Sequence, residues 1–171
     1  MRILLPVDGS SFSDAAVNEV ASRPWPASSE VKVVTGFQVP MTPTPEVWAL
    51  PEDYFDKLER MARDQAQTVI DSAVAKLTST LDESITVTSE VLSGSPRAAI
   101  LDEADRWKAD LIVMGSHGYG VWHRFLLGSV SQAVVSHANC SVEVVHRKRP
   151  NQRQSSVAGG DHLEGGARKS R

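Results

Sequence analysis

The chain contains the stretch Leu111-Ile112-Val113-Met114-Gly115-Ser116-His117-Gly118, in which a short apolar run passes into a turn flanked by two glycines. Nine residues after Gly118 comes Gly128-Ser129-Val130-Ser131, so the whole segment reads G-x-x-G-x9-G-S. Glycine lets backbone amides approach an anion without a Cβ atom in the way, and a helix that begins near Gly128 would present unpaired N–H groups and hydroxyls. The pattern predicts a phosphate-binding segment at the end of a strand.

This segment differs from two better known phosphate-binding loops. It has no lysine of the P-loop type, and Gly115 to Gly120 reads G-x-x-G-x-G where a dinucleotide-binding loop reads G-x-G-x-x-G. On these residues alone two interpretations stay open. The segment either binds an anion or is an ordinary strand-end turn followed by a helix that begins with glycine.

Five short apolar runs are predicted to be strands, and helical patterns separate them. A strand that returns to pair in parallel with its neighbour needs a crossover, which the helices supply. The sequence therefore predicts an α/β fold, a doubly wound five-stranded parallel sheet with helices on both faces. The predicted strands are Ile3 to Val7, Val31 to Val39, Ile85 to Leu92, Leu111 to Met114 and Val142 to Val145.

Four helices are predicted from apolar spacing and from their first residues. The first follows the S-x-x-D capping pattern of Ser11 and Asp14. The second runs from about Glu52 to Thr80 and is long enough that a bend or break is expected. The third has Ser95 as its N-cap and Pro96 at its first position, and the fourth begins with the glycine of the G-S pair.

Ligands of doubly wound sheets lie beyond the carboxyl ends of the strands, where the strand order reverses. Two predicted strand ends carry suitable residues, Pro6-Val7-Asp8-Gly9-Ser10 and Met114 to Gly118. If these two strands are neighbours, the cleft between their ends is the expected site. The proline-rich stretch Pro40 to Pro51 follows the second strand and is either a wall of that cleft or a surface loop.

Composition bounds the class of protein. The 171 residues are 41% hydrophobic and 23% charged, as in an ordinary globular protein. Residues 1–146 carry 11 Lys/Arg against 19 Asp/Glu, whereas residues 147–171 carry 7 against 2. We therefore expect one acidic domain over 1–146, for which nucleic acid is an unlikely partner, and a basic, disordered tail over 147–171.

Other features predict the cellular location of the protein. The first apolar run is too short for a signal peptide, no stretch approaches the roughly 18 apolar residues of a membrane span, and Cys140 is the only cysteine. These observations predict a cytoplasmic protein without a membrane partner. The histidines lack metal-binding spacing, so no metal site made by side chains is expected.

Three segments make the chain resemble the universal stress protein family, and the resemblance covers residues 1 to about 146. The segments are Ile3 to Ser10, Ala109 to Gly118 and Leu127 to Ser131. The resemblance implies a Rossmann-like fold similar to that of the adenine nucleotide alpha hydrolases. In this family the pattern G-x-x-G-x9-G-(S/T) marks members that resemble ATP binders, and a branch without it does not bind nucleotide.

The resemblance also implies which residues would bind ATP or a related adenine nucleotide. Gly115, Gly118, Gly128, Ser129, Val130 and Ser131 correspond to the phosphate and ribose site, with Met114, Ser116 and His117 beside it. Pro6, Val7 and Asp8 correspond to the opposite side of the cleft, and Val39 to the adenine side. Asp8 would repel phosphate unless Mg²⁺ or Mn²⁺ bridged them; alternatively, Asp8 caps the following helix.

The implied function is a regulatory stress-response module that binds ATP and forms a homodimer through its last strand. Where the family usually has Cys-Pro-Val-Leu, this chain has Cys140-Ser141-Val142-Glu143, and a charge on an edge strand disfavours indiscriminate pairing. No catalytic residues are expected, because the segment has no lysine to stabilise a departing phosphoryl group. The alternatives are a slow metal-dependent ATPase and a dimeric stress protein that binds no nucleotide.

Overall fold

A computed structural model of the chain describes residues 1–38, 53–118 and 127–146. Val39, the proline-rich stretch, most of the nine-residue spacer and the basic tail lie outside the described residues. The elements are β1 (Arg2–Pro6), α1 (Ser11–Ser22), β2 (Glu30–Phe37), α2 (Tyr54–Thr80), β3 (Thr86–Ser93), α3 (Pro96–Trp107), β4 (Leu111–Gly115), α4 (Ser129–His137) and β5 (Ser141–Val145).

The five strands form one parallel sheet in the order β3-β2-β1-β4-β5. The chain winds outward from β1 to β3, then crosses back so that β4 pairs with β1 through Ile3↔Leu111 and Leu4↔Ile112. The predicted doubly wound α/β fold is confirmed. The strand order reverses between β1 and β4, so the two strand ends with ligand-like residues are neighbours, as the sequence required for a common site.

Helices cover both faces of the sheet, and each face has its own apolar core. Ile3 and Leu5 point toward α1 and α2, whereas Leu4 points toward α3 and α4, because successive strand residues face opposite sides. All three side chains are fully buried. The core toward α3 and α4 continues up to Met114 at the carboxyl edge of the sheet, and it therefore forms the floor beneath any site on that side.

The start of α1 differs from the predicted capping pattern. Ser10, not Ser11, is the N-cap, and its Oγ accepts a hydrogen bond from the Ser13 N–H at 3.2 Å. The reason lies in the turn that precedes the helix. There Asp8 Oδ1 accepts a hydrogen bond from the Ser10 N–H at 2.9 Å, which stabilises the turn. Asp8 thus holds the turn that positions the N-cap, and it does not cap the helix itself.

The second helix is continuous from Tyr54 to Thr80, a length of about 40 Å at 1.5 Å per residue. The predicted break is wrong for this range. Its buried side chains begin only at Ala66 and continue through Ile70 and Leu77. The apolar face that packs on the sheet therefore belongs to the second half of the helix. Within the described residues, no helix is long and apolar enough to cross a membrane.

An ion cluster fixes α3 to the sheet. Glu103, only 3% exposed, accepts from Lys32 Nζ of β2 at 2.6 Å and from Arg106 Nε at 2.8 Å. Lys32 also donates to Glu90 of β3 at 2.5 Å. Burial lowers the pKa of Lys32, but its hydrogen bonds to Glu103 and Glu90 outweigh burial and raise it overall. Lys32 therefore stays charged, and a buried carboxylate without this partner would be costly.

The edge strand β5 is tied to α1 through its charged residue. Arg23 donates to both carboxylate oxygens of Glu143, at 2.8 and 2.7 Å, and also to Glu19 at 2.7 Å. These hydrogen bonds lower the pKa of Glu143. The charge on the edge strand is thus neutralised within the chain and does not project from the edge as a bare carboxylate. Nearby Cys140 is half-buried, and burial raises the pKa of its thiol.

Replacing Glu143 by Gln should lower stability at pH 7 by up to about 1 kcal/mol, because the pair is about one-third exposed. The pKa of Glu143 is depressed in the folded state, so its contribution is present above the unfolded-state pKa and disappears as the pH falls through the folded-state pKa. Urea unfolding of parent and E143Q between pH 7 and pH 3 should therefore converge at the acid end.

The matched control is Glu83→Gln. Glu83 is exposed and forms no ion pair within the described residues, so this change measures the loss of one carboxylate alone. A stability difference between parent and E143Q that stays constant down to pH 3, or equal effects of E143Q and E83Q, would contradict the assignment.

Candidate functional site

A cleft of about 260 Å³ lies at the carboxyl edge of the sheet, on the side of α3 and α4. It spans the ends of β1, β2 and β4 and lies between the first turns of the two helices. The residues that line it are Pro6, Val7, Asp8, Ser13, Val34, Thr35, Gly36, Pro96, Ile100, Met114, Gly115, His117, Gly118, Gly128, Ser129, Val130 and Ser131. Its position is the reversal point of the strand order, where doubly wound sheets bind ligands.

The structure brings together eleven of the thirteen residues that the sequence nominated, all of them in the lining of this cleft. Ser116 is fully buried and does not line it, and Val39 lies outside the described residues. Sequence reasoning missed the side of the cleft that β2 and α3 form, which is Val34, Thr35, Gly36, Pro96 and Ile100, together with Ser13. The proline that begins α3 was noticed as a helix signal, but no pattern in the sequence placed it at the site.

Ser116 fixes the geometry of the glycine motif from beneath. Its carbonyl oxygen accepts from the Gly128 N–H at 2.9 Å and from Ser131 Oγ at 2.8 Å. Its own N–H donates to the Val145 carbonyl at 3.0 Å. The end of β4, the first turn of α4 and the end of β5 are therefore joined at one residue, so the start of α4 cannot move independently of the sheet.

The first turn of α4 offers backbone donors to the cleft. In an α-helix the first N–H groups have no partner within the helix, which leaves those of Ser129, Val130 and Ser131. The N–H of Gly128 is already used by Ser116. Together with the helix dipole, three such groups attract an anion without any cationic side chain.

The predicted contribution of the Ser131 hydroxyl needs correction. Ser131 is 2% exposed, and its Oγ donates to the Ser116 carbonyl, with the Gly128 carbonyl also within 3.0 Å. A hydroxyl has one hydrogen to donate, and here that hydrogen is bonded to these carbonyl oxygens. Ser131 therefore shapes the site through its side chain and can serve an anion only through its backbone, whereas Ser129 is exposed.

Two glycines of the motif have close neighbours where a side chain would begin. A Cβ on Gly115 would lie 2.6 Å from the carbonyl carbon and oxygen of Phe12, so glycine lets the first turn of α1 pack on the end of β4. A Cβ on Gly118 would lie 2.6 Å from Asp8 Oδ2. The Asp8 carboxylate thus reaches across from the end of β1 to the end of β4, and the two predicted sides of the site meet here.

His117 has one ring nitrogen without a partner. Its Nδ1 lies 3.2 Å from Ser116 Oγ, its ring lies 5.2 Å from that of Phe12, and its Nε2 is buried with no hydrogen bond within the described residues. Buried polar atoms are normally paired, so Nε2 is a candidate hydrogen-bonding group beside the cleft.

The described lining contains one carboxylate, Asp8, and no lysine or arginine. No group of three or more His, Cys, Asp or Glu side chains within the described residues could hold a metal ion by itself. A divalent cation here would need oxygens from a ligand in addition to Asp8. The backbone donors of the cleft are suited to an anion, and Asp8 is suited to a cation beside that anion. The described lining supplies no cationic side chain that could stabilise a leaving group.

These features define a doubly wound α/β protein with a cleft at its strand-order reversal, lined on one side by the first turn of α4. The model of the universal stress protein family matches residues 1–146, and the chain belongs to this family. A universal stress protein of Methanocaldococcus jannaschii is 30% identical over 149 residues, covering 86% of this chain and 83% of the relative. One of Mycobacterium tuberculosis is 32% identical over 84% of this chain, which spans only 47% of that relative.

The solved structures include a close likeness of the fold. The hypothetical protein MJ0577 has a TM-score of 0.72 and 26% identity, and the match covers 87% of this chain and 97% of that one. The UspA protein of Lactobacillus plantarum has a TM-score of 0.68 and 25% identity, covering 85% and 97%.

Alanine at Gly115 and at Gly118 should have different effects on stability. Gly115→Ala meets backbone atoms that cannot rotate away, and overpacking of this kind costs about 1–3 kcal/mol. Gly118→Ala meets only the end of the Asp8 side chain, which can turn aside, so its cost should be smaller. Urea unfolding measures both. Equal losses, or a larger loss for G118A, would contradict the packing described here.

Proposed function

We propose that the protein binds ATP or a related adenine nucleotide in this cleft and works as a regulatory stress-response module. One observation carries the proposal. The first turn of α4, the end of β4 and the Asp8 turn after β1 converge on one cleft whose anion donors are backbone N–H groups. Sites of this kind hold phosphate without needing a cationic side chain.

Relatives with ligands support the choice of nucleotide. A universal stress protein family protein from Arabidopsis thaliana was solved with AMP bound and has 18% identity and a TM-score of 0.61 to this chain. Another universal stress protein was solved in complex with cAMP, at 21% identity and a TM-score of 0.57. Both share the fold, and an adenine nucleotide is the ligand class that they bind.

The phosphates would lie at the N–H groups of Ser129 to Ser131, and Mg²⁺ or Mn²⁺ would offset the charge of Asp8. Asp8 already uses Oδ1 for the turn before α1, which leaves Oδ2, beside Gly118, for the cation. In the part of the chain that the structure describes, His117 Nε2 has no hydrogen-bond partner, so it would be available to a phosphate oxygen. In this arrangement each residue acts in binding, and none is assigned a catalytic role.

The proposal includes a homodimer through the edge strand β5, a cytoplasmic location, and a single domain over 1–146 followed by a separate basic tail. The internal pairing of Glu143 with Arg23 supports the dimer, since it removes the unpaired charge that would oppose strand pairing at this edge.

The substitution Ser129→Asp tests the phosphate position. Ser129 is exposed at the first position of α4. A carboxylate at this position interacts favourably with the helix dipole, so the variant should fold. The same carboxylate would repel phosphate at the unpaired N–H groups. We expect the affinity for Mg-ATP to fall at least about 10-fold, which corresponds to about 1.4 kcal/mol, in isothermal titration calorimetry.

Ser129→Asn is the matched control, since it has nearly the same shape as Asp without the charge. It should keep ATP affinity within about 3-fold of the parent. If S129D and S129N bind equally, the phosphates do not lie at α4. If the parent itself binds no adenine nucleotide, the alternative of a family member without nucleotide is supported.

The position of Asp8 also permits a slow metal-dependent ATPase, in which Asp8 and the cation orient water. Incubating the purified protein with Mg-ATP and measuring released phosphate separates the two functions. A binding module should release no phosphate above the level of its Asp8→Ala variant. Phosphate release that disappears in D8A while ATP still binds would establish the ATPase.

A further inference from the structure

A second cavity, a groove of about 300 Å³, lies between α1 and α2 on the face of the sheet opposite α3 and α4. Its floor is made by Val7, Val17 and Ala73, which are buried in the apolar core of that face. Val69 lines the groove beside them and is partly buried. The volume is at the lower end of the range for ligand sites, so an occupant would be small and partly apolar.

The α2 side of the groove carries polar residues on successive turns. Thr68, Ser72 and Lys76 are four residues apart, so they share one face of the helix, and all three are exposed. The Thr68 hydroxyl donates to the Asp64 carbonyl at 3.0 Å. Within residues 1–38, 53–118 and 127–146, the side chains of Ser72 and Lys76 have no hydrogen-bond or ion-pair partner. A hydroxyl and an ammonium group are therefore available on this side.

The α1 side of the groove carries a carboxylate. Asp14 is exposed in the first turn of α1, and its side chain forms no ion pair among the described residues, with Lys76 or with any other cation. A simple anion beside Lys76 would be repelled by Asp14, and a simple cation beside Asp14 would be repelled by Lys76. The two charges are complementary to a ligand that carries both signs.

We propose that this groove binds a free α-amino acid with a branched apolar side chain. Its ammonium group would pair with Asp14, and its carboxylate would accept hydrogen bonds from Lys76 and the Ser72 hydroxyl. Its side chain would cover the floor at Val17 and Ala73 and remove apolar surface from water. This site is separate from the cleft, and the inference does not depend on nucleotide binding.

The first test titrates the ¹⁵N-labelled parent protein with L-valine at millimolar concentrations, without added nucleotide. The amide signals of Asp14, Ser72 and Lys76 should shift together and saturate, because these residues line one groove. Saturable shifts confined to other parts of the chain would overturn the proposal, and so would the absence of any shift.

Three analogues of L-valine test the chemical class without any change to the protein. Isovalerate lacks the ammonium group, isobutylamine lacks the carboxylate, and glycine keeps both charges but lacks the side chain. Each should bind at least about 10-fold more weakly than L-valine, since each loses one of the three contacts. Isovalerate or isobutylamine that binds as tightly as L-valine would show that a single charge suffices and would overturn the assignment.

Two exposed substitutions test the residues themselves. Lys76→Met keeps the length of the side chain and removes its charge, and Asp14→Asn keeps the shape and removes the charge. Each should weaken L-valine at least about 10-fold. The matched control is Asp102→Asn, since Asp102 is exposed on α3 and lies outside the lining of the groove, and its affinity should equal that of the parent. Equal affinities of all three variants and the parent would contradict the site.

Discussion

The carbonyl oxygen of Ser116 is the point on which the site depends. It accepts the Gly128 N–H and the Ser131 hydroxyl, while the Ser116 N–H donates to Val145. One buried residue thus aligns the end of β4 with the start of α4 and with the edge strand. Because Gly115 lets the first turn of α1 pack against the same strand end, the Asp8 turn is fixed opposite α4. The cleft is therefore a consequence of packing within the chain.

A site built from backbone donors has a particular chemical character. Its N–H groups carry no net charge and do not titrate in the usual pH range, so they would bind an anion over a wide pH range; the ionisable side chains of the described lining are Asp8 and His117. The rigid attachment of α4 to β4, and of α3 to β2 through Glu103 and Lys32, keeps both sides at a fixed separation. Such preorganisation would favour retention of the proposed nucleotide.

The sequence predicted the fold because its signals are local and consistent with one another. Apolar runs and helix starts such as Pro96 indicate the α/β pattern, and the glycine motif marks one side of the cleft. What it could not predict depends on distances between segments far apart in the chain. The side of the cleft at Gly36 is completed by Pro96, sixty residues later, and the hydroxyl of Ser131 donates to a carbonyl oxygen fifteen residues earlier. The N-cap at Ser10 was missed because Asp8 stabilises it from outside the helix pattern.

The most direct measurement of the central claim is a titration of ¹⁵N-labelled protein with Mg-ATP, followed through the backbone amide signals. The account predicts that the amides of Ser129, Val130 and Ser131 shift most and gain protection from hydrogen exchange, since their N–H groups acquire the phosphate as a partner. The amide of Gly128, already bonded to Ser116, should change far less in its exchange. Binding that leaves the first turn of α4 unchanged, with the shifts elsewhere, would contradict the account.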